Sequence, residues 1–300
     1  MVMMNTKHRP VMLKETLEFL NLKSGMTIVD ATLGIGGHAA GIMEKIVPGG
    51  RLIGLDRDEE SLVIAKEELK GSSARVDFVH ADFRNIDAVL NSLKVEKIDG
   101  ILWDLGLSSY QLDSPDRGFS FRYDAPLDMR MDKSGYVLAY DLVNNLTEKE
   151  ISDILWAFGE ERWHNRIAKF LVREREINPV ATTNQLKDIV LKAIPQRFAA
   201  HSRIHPATRT FQALRIAVNR ELEALSQALE KIPNFLNKGA RVGVISFHSL
   251  EDRIVKRNFR DNADSGVYTI ITKKPLLPLE DEIEDNPRSR SAKMRIAERI

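Results

Sequence analysis

Four aspartates and one glycine-rich turn carry most of the chemistry open to this chain. The turn, G-I-G-G-H-A at 34–39, fits the G-x-G-x-x-A pattern of dinucleotide-binding loops, in which glycines let the backbone approach a ligand closely. Asp56 follows Gly37 by 19 residues, the distance expected of an acid that accepts two ribose hydroxyls. NAD, FAD and S-adenosyl-L-methionine (AdoMet) all satisfy that much. Asp30 stands just before the turn, in D-A-T-L-G-I-G. A carboxylate there repels a pyrophosphate and attracts a ligand that carries an ammonium and a sulfonium. Asp82 and Asp104 follow two further strand-like runs. Acids at four successive strand ends crowd negative charge at one edge of a sheet, where open α/β sheets bind their ligands. Helix capping is the competing explanation for one or two of them.

The elements that must position these groups are legible as alternation. Strand-like runs at 26–31, 51–56, 75–79 and 98–104 are separated by helical segments at 39–46, 59–69 and 86–93, which predicts a parallel sheet covered on both faces. The rhythm stops at a loop-like stretch, 105–135, and loops of that length are usually functional. From Thr147 the pattern is helical: Thr147 and Glu150 form a capping box, and Ile151, Ile154, Leu155 and Phe158 follow at helical spacing. Alternation resumes with one long helix over 209–229 and strands at 236–247, 267–272 and 294–300. The expected organisation is one discontinuous α/β domain, 1–109 and 206–300, interrupted by an all-helical insert at 110–205 that recognises substrate.

Composition closes several routes. The 300 residues include no cysteine, which excludes disulfides, thiolate zinc sites, iron–sulfur clusters and cysteine nucleophiles. The seven histidines form no HExxH-like pair, and no metal site is expected, His201 and His205 included. No apolar run suits a membrane span and the N-terminus does not read as a signal peptide, so a cytoplasmic location is expected. The net charge of +1 conceals two basic clusters. Lys192, Arg197, Arg203, Arg209, Arg215 and Arg220 lie in a stretch without acids, and Arg288, Arg290, Lys293, Arg295 and Arg299 face only Glu298. Such blocks suit a polyanion partner; a solvated face, or ion pairs with Glu160, Glu161 and Glu174, is the alternative.

D-A-T-L-G-I-G resembles the acid-x-G-x-G-x-G signature of AdoMet-dependent methyltransferases, with Thr32 in place of the first glycine. Longer runs make the resemblance specific: HRPVML at 8–13, DATLGIGGH at 30–38, DLGLSSYQLD at 104–113, RGFSF at 117–121, PLDMRMD at 126–132, FGEER at 158–162, HPATRTFQALRIAVNREL at 205–222, VISFHSLEDRIVK at 244–256 and RSRSAK at 288–293. The chain is similar to the bacterial small-subunit rRNA cytosine-N4-methyltransferase family called RsmH or MraW. Leu107, where valine is commoner, is a mild departure. The resemblance implies a Rossmann-like class I methyltransferase sheet with a helical insert, and methyl transfer from AdoMet to the N4 of one cytidine in the decoding region of 16S rRNA, within the small ribosomal subunit. It implies that Gly36, Gly37 and His38 line the cofactor, Asp56 holds the ribose, Phe83 packs on the adenine, and Asp104 and Gln111 complete the pocket.

Residue chemistry agrees with N4. Methylation of cytosine at C5 proceeds through a thiolate adduct, which a chain without cysteine cannot form. Transfer to N4 is a direct displacement assisted by an acceptor for the N4 proton, and Asp104 or a nearby backbone carbonyl is the expected acceptor. Tyr110, Phe119 or Phe121 would stack on the base, and His248 would face the site or leave capping to Ser249. Open alternatives are a methyltransferase of the same fold acting on DNA or protein, a nucleotide-binding oxidoreductase, and a non-catalytic RNA-binding assembly factor. A homodimer also stays open.

Overall fold

A computed structural model describes residues 10–72, 74–195, 198 and 204–300. His8, Arg197, His201 and Arg203, singled out above, lie outside the described residues. The strands are β1 (Thr27–Asp30), β2 (Arg51–Asp56), β3 (Arg75–His80), β4 (Ile98–Asp104), β5 (Leu236–Ser246), β6 (Tyr268–Ile270) and β7 (Lys293–Arg299). The helices are α1 (Leu13–Phe19), α2 (Gly37–Ile46), α3 (Glu59–Glu68), α4 (Ile86–Ser92), α5 (Ser109–Asp113), α6 (Ala139–Asn145), α7 (Glu148–Gly159), α8 (His164–Arg175), α9 (Thr183–Ala193), α10 (Thr208–Asn219), α11 (Glu221–Lys231), α12 (Ser249–Asp264) and α13 (Glu280–Asp285). The chain divides into two compact units, 1–106 with 222–300, and 107–221.

The first unit is built on one sheet of order β3-β2-β1-β4-β5-β7-β6. β1 to β5 pair in parallel, and β7 runs antiparallel between β5 and β6. This is the Rossmann-like sheet of class I AdoMet-dependent methyltransferases. Alternate strand residues feed cores on opposite faces. Val29, Ile53, Ile101, Trp103 and Val244 pack into one core, and Ile28, Leu52, Leu102 and Ile245 into the other. The strand order reverses between β1 and β4, the topological switch point at which such sheets open a crevice.

The second unit packs α6 to α10 around its own core, with Leu155, Leu171, Leu186, Val190 and Leu214 fully buried. Gly159 lets α7 approach α10 closely, since a Cβ there would lie 2.7 Å from the Arg209 carbonyl oxygen. Two expectations need correction. The helix expected over 209–229 is two helices, broken at Arg220, which sits in the left-handed region with φ 50°. Asn219, just before it, is buried and bonded to Met129 O and to Met131 N, which ends α10 on its own unit. The second unit spans Leu107–Glu221, beside the expected insert of 110–205. The stretch 105–135 is also not all loop, since it holds α5.

Candidate functional site

Asp30 ends β1 and Asp104 ends β4, so both carboxylates lie at the switch point. Thr32 ties the two strand ends together: its Oγ1 accepts from Asp104 N at 2.6 Å, and its N donates to Asp30 Oδ1 at 3.2 Å. Asp30 is 1% exposed. Asp30 Oδ2 and Asp104 Oδ1 are buried with no hydrogen-bond partner among the described residues. Burial pushes Asp30 up to about 7, and the negative charge of Asp56 adds to the rise. Burial also holds Asp104 well above the usual carboxylate range, reinforced by the charges of Asp30 and Glu251. A buried Asp30 and a half-buried Asp104, each with one buried and unbonded oxygen, fit a ligand that brings positive charge.

The other oxygen of Asp104 faces His38. His38 Nε2 lies 2.9 Å from the Val11 carbonyl oxygen. That oxygen can only accept, so Nε2 donates to it. Nδ1 lies 3.6 Å from Asp104 Oδ2, beyond direct hydrogen-bond reach. The Val11 strap is itself anchored, because Met12 N donates to Glu282 Oε1 of α13 at 2.7 Å.

Gly36 caps α2 with φ 95°, and a Cβ there would press on Leu69 Cδ1 at 3.1 Å. No side chain caps α2, so its first N–H groups suit the carboxylate of an amino-acid ligand. Gly37 lies against Pro10. Asp56 accepts from Gly34 N at 2.7 Å through Oδ2 and from Asp58 N at 2.9 Å through Oδ1. Burial lifts it to about 6 against those two bonds, and each oxygen keeps a lone pair for a ribose hydroxyl. Phe83 is half-buried and packs against the core that contains Trp103.

Asp82 is different. It caps the turn at Phe83–Asn85 and pairs with Arg57 and Arg84 at 2.9 Å each. Its charge is thereby neutralised, and the helix-capping explanation fits this acid. His248, rather than Ser249, caps α12, and Glu251 closes the capping box by accepting from His248 N at 3.3 Å, with a further bond from Phe247 N at 2.8 Å. Glu251 is a buried contributor to Asp104 that none of the sequence motifs points to. The signal was present as a capping-box glutamate three residues after His248.

In the second unit, Gln111 uses its Oε1 to accept from Ser108 N in the capping box of α5. Phe119 is 7% exposed, so its ring face belongs to the core. Phe121 stacks on His205 with centroids 4.5 Å apart. Much of the two basic clusters is committed to internal bonds. Arg209 donates to Glu160 O, Arg215 pairs with Glu221 at 2.9 Å, and Lys192 lies 3.4 Å from Glu174. In the first unit Arg295 bonds Asp252 at 2.6 Å and Arg299 donates to Val267 O. Among the described residues no helix is long and apolar enough to cross a membrane.

Comparison with known proteins adds to the geometry. The model of the MraW methylase family matches residues 5–300. Ribosomal RNA small subunit methyltransferase H of Clostridioides difficile (strain 630) is 47% identical, covering 99% of this chain and 100% of its own length. The protein of the same name from Geotalea uraniireducens (strain Rf4) is 49% identical, covering 98% of each chain. A solved rRNA methylase from Streptococcus thermophilus superposes with a TM-score of 0.46 at 13% identity, covering 98% of this chain and 99% of that one.

Proposed function

The chain belongs to the MraW methylase family, and on that premise we propose that it methylates the exocyclic N4 of one cytidine in the decoding region of 16S rRNA. The small ribosomal subunit is the substrate particle and the cytoplasm the place. The names of its relatives support the substrate class. One observation carries the cofactor: Asp30 and Asp104, at the ends of β1 and β4, each keep a buried oxygen without a hydrogen bond, and each is raised. Bound there, AdoMet would supply a methyl carbon activated by its sulfonium, to be taken by a nucleophile as the C–S bond breaks and S-adenosylhomocysteine leaves.

The residues divide the remaining work. Asp30 and Asp104 hold the positive groups, the start of α2 at Gly36, Gly37 and His38 holds the carboxylate, and Asp56 holds the ribose. Phe83 packs on the adenine, and the role of Gln111, in the second unit, rests on the family resemblance. Positive charge beside Asp30 and Asp104 draws both toward their ionised forms. The N4 lone pair is delocalised into the ring, so an acceptor for its proton assists the displacement. Asp104 Oδ1 is that acceptor. The target base must leave its stack, because N4 is paired in a duplex.

The test uses AdoMet with a tritiated methyl group on under-methylated small subunits, naked 16S rRNA, DNA and protein, followed by mass spectrometry of the nucleosides. The expected product is N4-methylcytidine at one position. Label recovered as 5-methylcytidine, or in DNA or protein, would contradict the reading. Because Asp104 must be ionised to accept a proton, kcat/KM should rise with pH through a value above the ordinary carboxylate range.

A further inference from the structure

The outer face of α8 carries positive charge that no described carboxylate answers. Arg162, Arg166, Lys169 and Arg173 are all exposed. They are spaced 4, 3 and 4 residues apart, with Arg162 in the turn that leads into the helix. That spacing aligns them in one ridge about 16 Å long, with neighbours roughly one helical turn apart. The opposite face is buried through Ile167, Ala168 and Leu171. From Arg162 to Arg175 five cations meet one acid, Glu174, which lies 3.4 Å from Lys192 of α9. Among the described residues none of the four ridge cations has an ion-pair partner. Two lie over aromatic rings: the guanidinium of Arg162 lies 5.7 Å from the Phe198 centroid, and that of Arg166 lies 5.5 Å from the Phe170 centroid.

We propose that this ridge grips the sugar–phosphate backbone of the RNA substrate. The inference rests on the reading of the chain as an rRNA methyltransferase and adds where, in the second unit, the RNA is held. Arginine forks lying on rings are ordered before a phosphate arrives, so less side-chain entropy is lost on binding. A row of cations with nothing to neutralise it suits a row of phosphates, whose condensed counterions it displaces. A lipid surface is a poorer match, because within α8 the exposed residues are Asn165, Arg166, Lys169 and Arg173 and none is apolar. An interfacial helix carries bulky apolar residues beside its cations.

The test replaces Arg166, Lys169 and Arg173 together with glutamine in the full chain. Binding of a labelled fragment of the 16S decoding region is followed across a salt series. AdoMet affinity and thermal melting are measured on the same sample. Affinity should fall on the order of tenfold to a hundredfold, and the slope of log K against log salt should flatten by about 2, near 0.7 per lost phosphate contact. AdoMet affinity should stay as in the parent protein. Should the triple variant fail to melt cooperatively, the three single variants decide the matter in its place, each flattening the slope by about 0.7. Unchanged RNA affinity and slope in a folded variant overturn the proposal. So does a loss confined to intact small subunits, which would assign the ridge to a protein surface. A parent protein that binds RNA through this ridge but never methylates it would refute the proposed activity and leave this inference standing.

Discussion

The switch-point edge of the first unit and the outer face of α8 in the second are both places where charge is left without an internal partner, but in opposite ways. At the switch point two carboxylates, one buried and one half-buried, each keep a buried oxygen without a partner, and both are raised. On α8 four cations stay in water, where an unpaired charge costs little. The first arrangement selects a small cationic ligand that can enter and replace lost solvation. The second selects a long anion that can lie along a ridge. Asp82 sharpens the contrast within the sheet itself: it follows β3 much as Asp104 ends β4, yet Arg57 and Arg84 neutralise it.

The largest expected effect breaks the buried side of this comparison. Asp104→Asn removes the proton acceptor and should lower single-turnover methyl transfer by about 100-fold or more; near-normal turnover with AdoMet bound would remove Asp104 from the chemistry. Asp30→Asn should weaken AdoMet binding while stabilising the fold. The sign follows from Asp30 being raised from 3.8 to about 7 in the folded state. Its contribution to stability is present below pH 3.8 and is lost as pH rises through about 7. By pH 8 the penalty removed by asparagine approaches about 4 kcal/mol. Denaturant midpoints at pH 8 and pH 5 should show the gain shrinking toward acid.

Smaller effects refine the picture. Gly36→Ala forces a side chain into φ 95° against Leu69. It should cost about 1–2 kcal/mol by denaturant unfolding and should weaken AdoMet binding as well. Arg209→Ala is the mildest change, because this arginine already donates to Glu160 O. Its salt slope for RNA should move by less than about 0.7, well short of the α8 triple variant.

Much of the first unit is legible in the sequence, because short apolar runs alternating with helical segments, with an acid after each run, mark strands whose ends meet at one edge. The four aspartates read alike there, and only the folded chain separates Asp82, with its arginines, from Asp30 and Asp104. His38 is legible as a loop residue, but its bond to Val11 spans 27 positions and leaves no local trace. The break at Arg220 is also hidden, since α10 and α11 share one apolar period and the left-handed residue is not a glycine. Counting charge by sequence block points to 189–220, where folding commits Arg209 and Arg215 to internal bonds. Counting it along a helix at 3–4 spacing finds Arg162, Arg166, Lys169 and Arg173, a pattern visible in the sequence once α8 is known to be a helix.

The buried acids as a cationic ligand site can be tested most directly by titration calorimetry of AdoMet at pH 6.5 in two buffers of different ionisation enthalpy. Positive charge arriving beside Asp30 and Asp104 should expel protons, so the observed heat should depend on the buffer, less so in Asp104→Asn. Binding with no buffer dependence, or no binding at all, would contradict the account.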